Sequence, residues 1–368
     1  MGFGLFVPAF KSSFSLTPAT VGLISSLGFA GFFIGLLVAQ YLLNRKGPAA
    51  PVLTGLAAAT LGLGVVALAP NATVLAAGVF LAASSAGFAW TPFNDAVHRK
   101  IRDTDRPTAL SEISTGTSVG VMLAAAIALG MVFTGLDWRI CWGVFALLAL
   151  ASLIGNWAAL RPVGRAPEAA PAASWRMLLQ QSAAPLFGLA FVFGITSSIY
   201  ISFAADHFSQ SSLLGMPNSA VPSVVFLSYG FFGLAGLLTG SIRDRIGLAP
   251  LMRLLLLAAA TSFALAALLS DSWTALVISS GLQGINVMMT SAVLAFWSEK
   301  LFPSLPSMSF TATLLATASG SVIGPSLAGL VLKGPGPEVA FLGTAAIPLI
   351  AAFALRQSWI TEHALEPA

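Results

Sequence analysis

The stretch Gly240-Ser241-Ile242-Arg243-Asp244-Arg245-Ile246-Gly247 is a charged cassette set between two long apolar runs. A reduced copy, Asn44-Arg45-Lys46-Gly47, stands two hundred positions earlier, again between apolar runs. At the same offset Leu27, Phe29, Phe32 and Leu37 fall on Leu227, Tyr229, Phe232 and Leu237. A helix, a basic turn and a second helix, repeated at half the chain's length, describe two similar bundles. Duplicated bundles in lipid place a shared site where the two copies meet.

Composition says that the surroundings are lipid. Hydrophobic residues make up 57% of the chain and charged residues 8%. A soluble domain carries about 25% charged residues. With a mean hydropathy of +0.90, polar residues are too few to coat a surface facing water. The net charge of +4 is spread over short turns, so it reads as topology and gives no ground for a nucleic-acid partner. One cysteine, Cys141, excludes an internal disulfide and any multi-cysteine metal site.

A run of about 20 apolar residues crosses about 30 Å of hydrocarbon. After an opening segment, Met1 to Phe10, eleven such runs follow. The first six are Pro18–Leu43, Pro51–Ala69, Thr73–Val97, Thr108–Thr134, Arg139–Leu160 and Ala184–Asp206. The last five are Ala220–Ile242, Ala249–Ser270, Trp273–Trp297, Met308–Leu332 and Val339–Trp359. Breakers such as Gly47-Pro48, Pro70-Asn71 and Gly334-Pro335-Gly336 separate them. The longest polar interruption, Arg161 to Gln181, reads as the inter-bundle linker. The expected division is a six-helix bundle over 1–160, a linker over 161–182 and a second bundle over 183–368.

Charge orients this arrangement. Counting the opening segment as the first span, one set of turns holds Arg45, Lys46, Arg99, Lys100, Arg102 and Arg106. Later turns on that side hold Arg161, Arg165, Arg176, Arg243, Arg245 and Lys300, with Arg253 and Arg356 at span ends. The opposite turns hold only Lys11, Arg139 and Lys333. The asymmetry puts the first set in the cytoplasm, together with the linker and the C-terminus. The membrane expected is a plasma membrane, bacterial inner membrane in type.

These residues resemble the major facilitator superfamily. Its loop motif, Gly-x-x-x-Asp-Arg-x-Gly, lies between the second and third helices of each half, and Gly240, Asp244, Arg245 and Gly247 match it. In the first half Arg45 and Gly47 match, while Gln40 stands at the place of glycine and Asn44 at that of aspartate. Trp138-Arg139 opens the sixth span as such a pair often does in this family. Gly116-x-x-x-Gly120 and Gly320-x-x-x-Gly324-Pro325 resemble the glycine-rich motif of its fifth helix. The resemblance covers essentially the whole chain. It implies an all-α integral membrane protein: two pseudo-symmetric six-helix bundles that rock about a central site and carry a solute by alternating access. The family's first helix is full length, whereas ten residues before Lys11 span about 15 Å. The first helix is therefore expected to be short in this sequence, with a misassigned start or a truncation as the cause.

The resemblance also implies that the loop motif latches one side shut. Asp244 can accept hydrogen bonds from free N–H groups at the start of the fifth span near Pro107. Gly240 and Gly247 let helices approach and the chain turn. Asn44 accepts hydrogen bonds without charge, so the first-half latch is expected to be the weaker. A plain basic turn is the other reading of Asn44-Arg45-Lys46-Gly47. Small-residue pairs at Gly31/Gly35, Gly116/Gly120, Gly236/Gly240 and Gly320/Gly324 allow close helix approach. Either the fifth and eleventh spans slide against the eighth and second at those pairs, or the packing is static.

Ionisable groups inside spans are few. Asp95 lies four residues before Arg99 and reads as an interfacial ion pair or a proton carrier. Glu112 sits deeper and is the better coupling candidate. Asp206 and His207 lie at the outer end of their span, solvated or at an outer gate. Mid-span polar residues suggest a pathway: Trp90, Asn94, Thr115, Ser118, Thr196, Ser197, Tyr200, Gln283 and Asn286. Gln283 and Asn286 share a helical face and must meet a cavity or another helix. Such a lining suits a small, weakly polar organic solute. Interhelical hydrogen bonding is the other reading, above all for serines and threonines. Phe3, Phe6 and Phe10 share one face, toward lipid or toward protein.

Enzyme signatures do not fit. Gly116-Thr117-Ser118-Val119-Gly120 has the spacing of a nucleophile elbow, but it lies within an apolar helix rather than a strand-to-helix turn. There is no phosphate loop for ATP coupling. The expectation is a monomer in lipid, without cofactor, with a small-molecule substrate and protons as coupling ion. A membrane sensor, or an inactive homologue, that binds solute without moving it is the alternative.

Overall fold

In hydrocarbon every backbone N–H and C=O must be paired within the segment or within a closed barrel, and runs of this length satisfy that as helices. The computed structural model describes residues 2–102, 106–160, 178, 180–211 and 216–360. Side chains are described throughout these residues except at 94–96, 98–100, 106–112 and 114. The first half holds α1 (Gly2–Phe14), α2 (Pro18–Lys46), α3 (Ala49–Ala67), α4 (Ala72–Lys100), α5 (Arg106–Thr134) and α6 (Trp138–Leu160). The second holds α7 (Ala184–Ser209), α8 (Val221–Gly233), a 3₁₀ segment (Leu234–Leu238), α9 (Thr239–Ile246) and α10 (Leu248–Leu268). It ends with α11 (Trp273–Leu301), α12 (Pro306–Lys333) and α13 (Pro337–Ala354). Among the described residues eleven helical stretches are long and apolar enough to cross a membrane.

Local chemistry sets the ends of these helices. Thr17 accepts a hydrogen bond from the Thr20 N–H and Pro18 supplies a preset first turn, so α2 begins there. Asn71 and Ser272 cap α4 and α11 in the same way. The basic turns end differently. Gly47 and Gly247 stop α2 and α9 at φ of 77° and 86° with ψ near ±180°, a region open to glycine alone. Their N–H groups return to the Leu43 and Arg243 carbonyls, at 3.0 and 2.7 Å. The duplicated basic turn is thus duplicated in backbone geometry.

Packing repeats the duplication. In the first half α2 lies on α4, and α3 on α4 and α6. In the second half α8 lies on α11, and α10 on α11 and α13. The halves meet through the corresponding pairs α2 with α12 and α5 with α8. Arg45 and Arg245 lie at one end of the bundle. Gln40, near the end of α2, bonds Thr311, near the start of α12, while Gly22 at the other end of α2 abuts Pro325. The start of α12 follows Lys300, and Arg243 stacks over Phe296 one turn before it. This end is called the basic side below, and the other the outer side.

Three expectations need revision, and one left open is decided. The opening helix reaches Phe14 rather than Phe10, about 20 Å and still short of a full crossing. Of the two readings left open for Phe3, Phe6 and Phe10, the protein-facing one holds, since all three are buried: Phe10 meets Trp138 edge-on at 4.9 Å and Phe6 meets Trp142 at 5.7 Å. These aromatic pairs, worth about 0.5–1.5 kcal/mol each beyond their area, fix α1 against α6. The eighth span is not one continuous helix, because its 3₁₀ segment separates α8 from α9. The final span stops at Ala354, and a 3₁₀ turn follows at Gln357–Trp359.

The glycine pairs also divide. A Cβ on Gly31 or Gly35 would strike the Phe80 or Ser84 carbonyl of α4. Gly320 and Gly324 press against α7 at Phe191 and Ile195, not against α2. Gly116, Gly120 and Gly240 face open space instead, so their expected close packing is absent. The halves approach at other small residues. Gly22 and Gly329 serve the α2–α12 crossing, and Gly230 packs on Met122 of α5.

Candidate functional site

Both halves wall a cavity of about 590 Å³. Its lining comes from the middle and basic-side portions of the helices: Phe29 and Phe32 on α2, Trp90 on α4, Thr115 and Ser118 on α5. Across from them stand Phe193 and Ser197 on α7, Gly233 through Ser241 along α8–α9, and Val287 through Glu299 on α11. Phe310, Thr317 and Ser321 complete it from α12. The surface is mainly aromatic and aliphatic with scattered hydroxyls. Glu299 is the one ionisable residue among its described lining, and it is exposed at the basic-side end. Such a site can hold an apolar or aromatic body and few hydrogen bonds.

On the outer side described residues join the two halves. Lys11 of α1 donates to Asp206 of α7 at 2.8 Å, and Gln210 donates to the same carboxylate oxygen. Both ion-pair side chains are more than three-quarters out of solvent. The Ser326 N–H and hydroxyl reach the Ser26 hydroxyl at 3.0 and 2.8 Å, joining α12 to α2. Gly4 of α1 sits against the Ile201 carbonyl with no room for a side chain. His207 faces inward, its Nε2 2.8 Å from the Ala266 carbonyl and its ring stacked on Phe341. Asp206 therefore takes part in a contact between halves, and His207 in one within the second half.

The loop motif is asymmetric. In the second half the Asp244 carboxylate accepts from the Arg243 guanidinium at 3.0 and 2.7 Å, and its side chain is 66% exposed. Its expected partner, the start of α5, has side chains outside those described. Arg245 is exposed, and Gly240 borders the cavity. In the first half Gln40 Nε2 donates to Asn44 Oδ1 at 2.9 Å, and Gln40 Oε1 accepts from Thr311 at 2.8 Å. Thr311 and Thr91 are also bonded, at 3.0 Å. Of the two residues that depart from the motif, Gln40 ties α2 to the other half and Asn44 accepts from Gln40. Arg45 lies over Tyr41 at 4.5 Å.

The cavity brings together Trp90, Thr115, Ser118 and Ser197 of the pathway candidates. Others face the helical interior. Thr196 donates to the Val192 carbonyl, and Tyr200 bonds Ser279 and Ser280 at 2.8 and 3.2 Å. Asn286 accepts from Thr290 at 3.2 Å, and Gln283 is fully buried outside the lining. These four were expected along the pathway because they are polar and mid-span. Polarity and depth do not specify which way a helix face turns. The side chains of Asn94, Asp95 and Glu112 lie outside those described, as does the linker over 161–177. Sequence reasoning missed Glu299, hidden by its neighbour Lys300 in a turn read for positive charge. It also missed the aromatic wall, because phenylalanines in apolar runs carry no distinguishing signal.

Comparison with known proteins places this architecture. A family model described as Major Facilitator Superfamily matches residues 1–217. The transcription regulatory protein OpdE of Pseudomonas aeruginosa is 28% identical over 325 residues, 84% of this chain and 77% of that protein. Among solved structures, a mutant of the nucleoside transporter NupG superposes with a TM-score of 0.71 at 15% identity, covering 98% of this chain and 97% of its own. A POT family transporter in complex with a thioalcohol-conjugated peptide reaches 0.76 at 15% identity, covering 96% and 91%. A mutant peptide transporter POT in complex with sulfate reaches 0.78 at 14% identity, covering 96% and 90%. Those structures are alike in fold.

Proposed function

The chain belongs to the major facilitator superfamily, and from that premise we propose that it moves a small organic solute across a plasma membrane by alternating access. One observation carries this reading: the cavity runs from about the middle of the helices toward the basic side, while on the outer side described contacts join the two bundles. Taking the basic side as cytoplasmic, that is the arrangement of an inward-facing state. Rocking about the α2–α12 and α5–α8 crossings opens the Lys11–Asp206 side and closes the other. Asp244, exposed here, is the group available to engage when the basic side shuts. The cargo is a compound of modest size with an apolar or aromatic body, held by Phe29, Trp90 and Phe193 and oriented by Ser118 and Ser197. Protons supply the drive, with Glu112 and Asp95 as carriers. The working unit is the monomer, divided into bundles over 1–160 and 183–368.

The test is counterflow in proteoliposomes, with purified protein and a panel of labelled aromatic and aliphatic solutes. Exchange of at least one solute, slowed several-fold by Asp244→Asn while that variant inserts at the normal level, is the expected result. Collapse of net uptake by a protonophore supports proton coupling. A second reading is favoured by the likeness to OpdE, named a transcription regulatory protein. In it, the chain senses a solute and reports on it without carrying it. Saturable binding with no exchange for any bound solute decides for the sensor.

A further inference from the structure

We propose that the layer of side chains beyond the blind end of the cavity is a subsite for an uncharged, hydrogen-bonding group of the bound solute, formed by the Gln283 carboxamide and the Tyr229 hydroxyl. This deepens the reading above, on which it rests for the solute's passage.

Gln283 is 0% and Tyr229 1% exposed, and among the described residues neither Gln283 Nε2, Gln283 Oε1 nor the Tyr229 hydroxyl has a hydrogen-bond partner. Val287 and Gly233 line the cavity. Gln283 precedes Val287 by four residues, and Tyr229 precedes Gly233 by four, so each sits one helical turn deeper on the same face. The two helices touch at that level: a Cβ on Gly284 would strike the Tyr229 carbonyl. The two unpaired groups therefore lie on neighbouring helices at one level, each a turn beyond a residue that lines the cavity.

Their neighbours show that the fold can satisfy buried hydroxyls here. Tyr200 is bonded to Ser279 and Ser280, and Ser262 and Ser279 bond each other and each other's carbonyls at 2.7–3.2 Å. Gln283 and Tyr229 stand beside this completed network and outside it. Buried polar groups without partners are costly, and such groups persist where a ligand or a second conformation completes them. A carboxamide offers two donors and an acceptor, and a phenol one of each. Neither carries charge, so the matching ligand group is a neutral donor–acceptor such as an amide or an alcohol. A carboxylate would be desolvated there without a counter-charge. The aromatic wall one turn nearer the mouth takes the attached apolar body.

The probes are benzamide, toluene and benzoate, which share a ring and differ in the head group. Unfolding midpoints of the purified full chain in detergent are measured at equal concentrations, since a ligand of the folded state raises the midpoint by mass action. The expected result is a shift with benzamide larger than with toluene, and none with benzoate. Gln283→Met, which replaces the unpaired amide with an apolar chain of similar length, should fold at least as stably. It should keep the toluene shift and lose roughly tenfold in benzamide affinity, as removal of one or two neutral hydrogen bonds gives. Tyr229→Phe, which removes one oxygen, should lose several-fold and decides the matter if Gln283→Met does not fold. Equal shifts with benzamide and toluene, no shift with any probe, or a preference for benzoate overturns the proposal. So does an undiminished benzamide preference in the variants, which would assign the layer to water. Counterflow is scored separately: failed exchange with the benzamide preference intact removes transport and leaves the subsite standing.

Discussion

The two basic turns share one backbone shape and differ in everything hung on it. Gly47 and Gly247 end their helices at nearly the same dihedral angles. Before Gly47 the helix runs unbroken for 29 residues and ends in a neutral chain, Asn44 to Gln40 to Thr311, that crosses to the other half. Before Gly247 the span is broken by a 3₁₀ segment, and its acid and bases face solvent beside the cavity. Duplication has kept what the backbone requires and released what the side chains do. One side is a standing contact between halves; on the other, among the described residues, the acid is paired with its neighbour Arg243. A 3₁₀ stretch inside a long helix often marks a hinge, and this one lines the cavity.

The comparison can be broken most sharply at glycine. Gly35→Leu on the tight face of α2 should cost about 3 kcal/mol by overpacking against α4. Gly240→Leu, which meets open space, should stay within about 0.5 kcal/mol. Unfolding midpoints and the yield of monodisperse protein check both, and equal losses would undo the distinction. Next in size, Gly47→Ala and Gly247→Ala should each cost about 1–3 kcal/mol, because both place a Cβ in a backbone region closed to it. Unequal costs would mean that the shared geometry is not equally needed. Asp244→Asn should slow initial transport several-fold at unchanged protein level, while Asn44→Asp changes little; the reverse order would exchange the roles given to the two turns. The smallest effect belongs to Gln40→Leu. Thr311 keeps its bonds to Thr91 and the Ser307 carbonyl, so the loss should be about 1 kcal/mol in thermal stability.

The spans were legible because hydrocarbon leaves the backbone one solution, and an apolar run of the right length adopts it. The basic turns were legible because charge is costly in lipid and collects at its edges. The glycine pairs were less so. Gly320-x-x-x-Gly324 and Gly116-x-x-x-Gly120 read alike, yet the first presses on α7 and the second faces nothing. Spacing shows that a face is smooth, not that another helix lies on it. The same limit governed Tyr200 and Ser197, three residues apart on α7. One closes a hydrogen-bonded ring within the second half, and the other borders the cavity.

From sequence alone came the membrane as solvent, the number and order of the spans, the internal duplication and the side on which the basic residues gather. Each follows from composition along the chain, because transfer of a segment into lipid depends on that segment alone. Tertiary structure decided which faces meet: the closure at Lys11 and Asp206, the aromatic chamber, the crossing bond from Gln40 to Thr311, and the unpaired groups of Gln283 and Tyr229. Inside a bilayer every helix is apolar all round, so hydropathy does not choose its rotation. Only the fit of one surface against another, carbonyl against glycine and hydroxyl against hydroxyl, makes that choice.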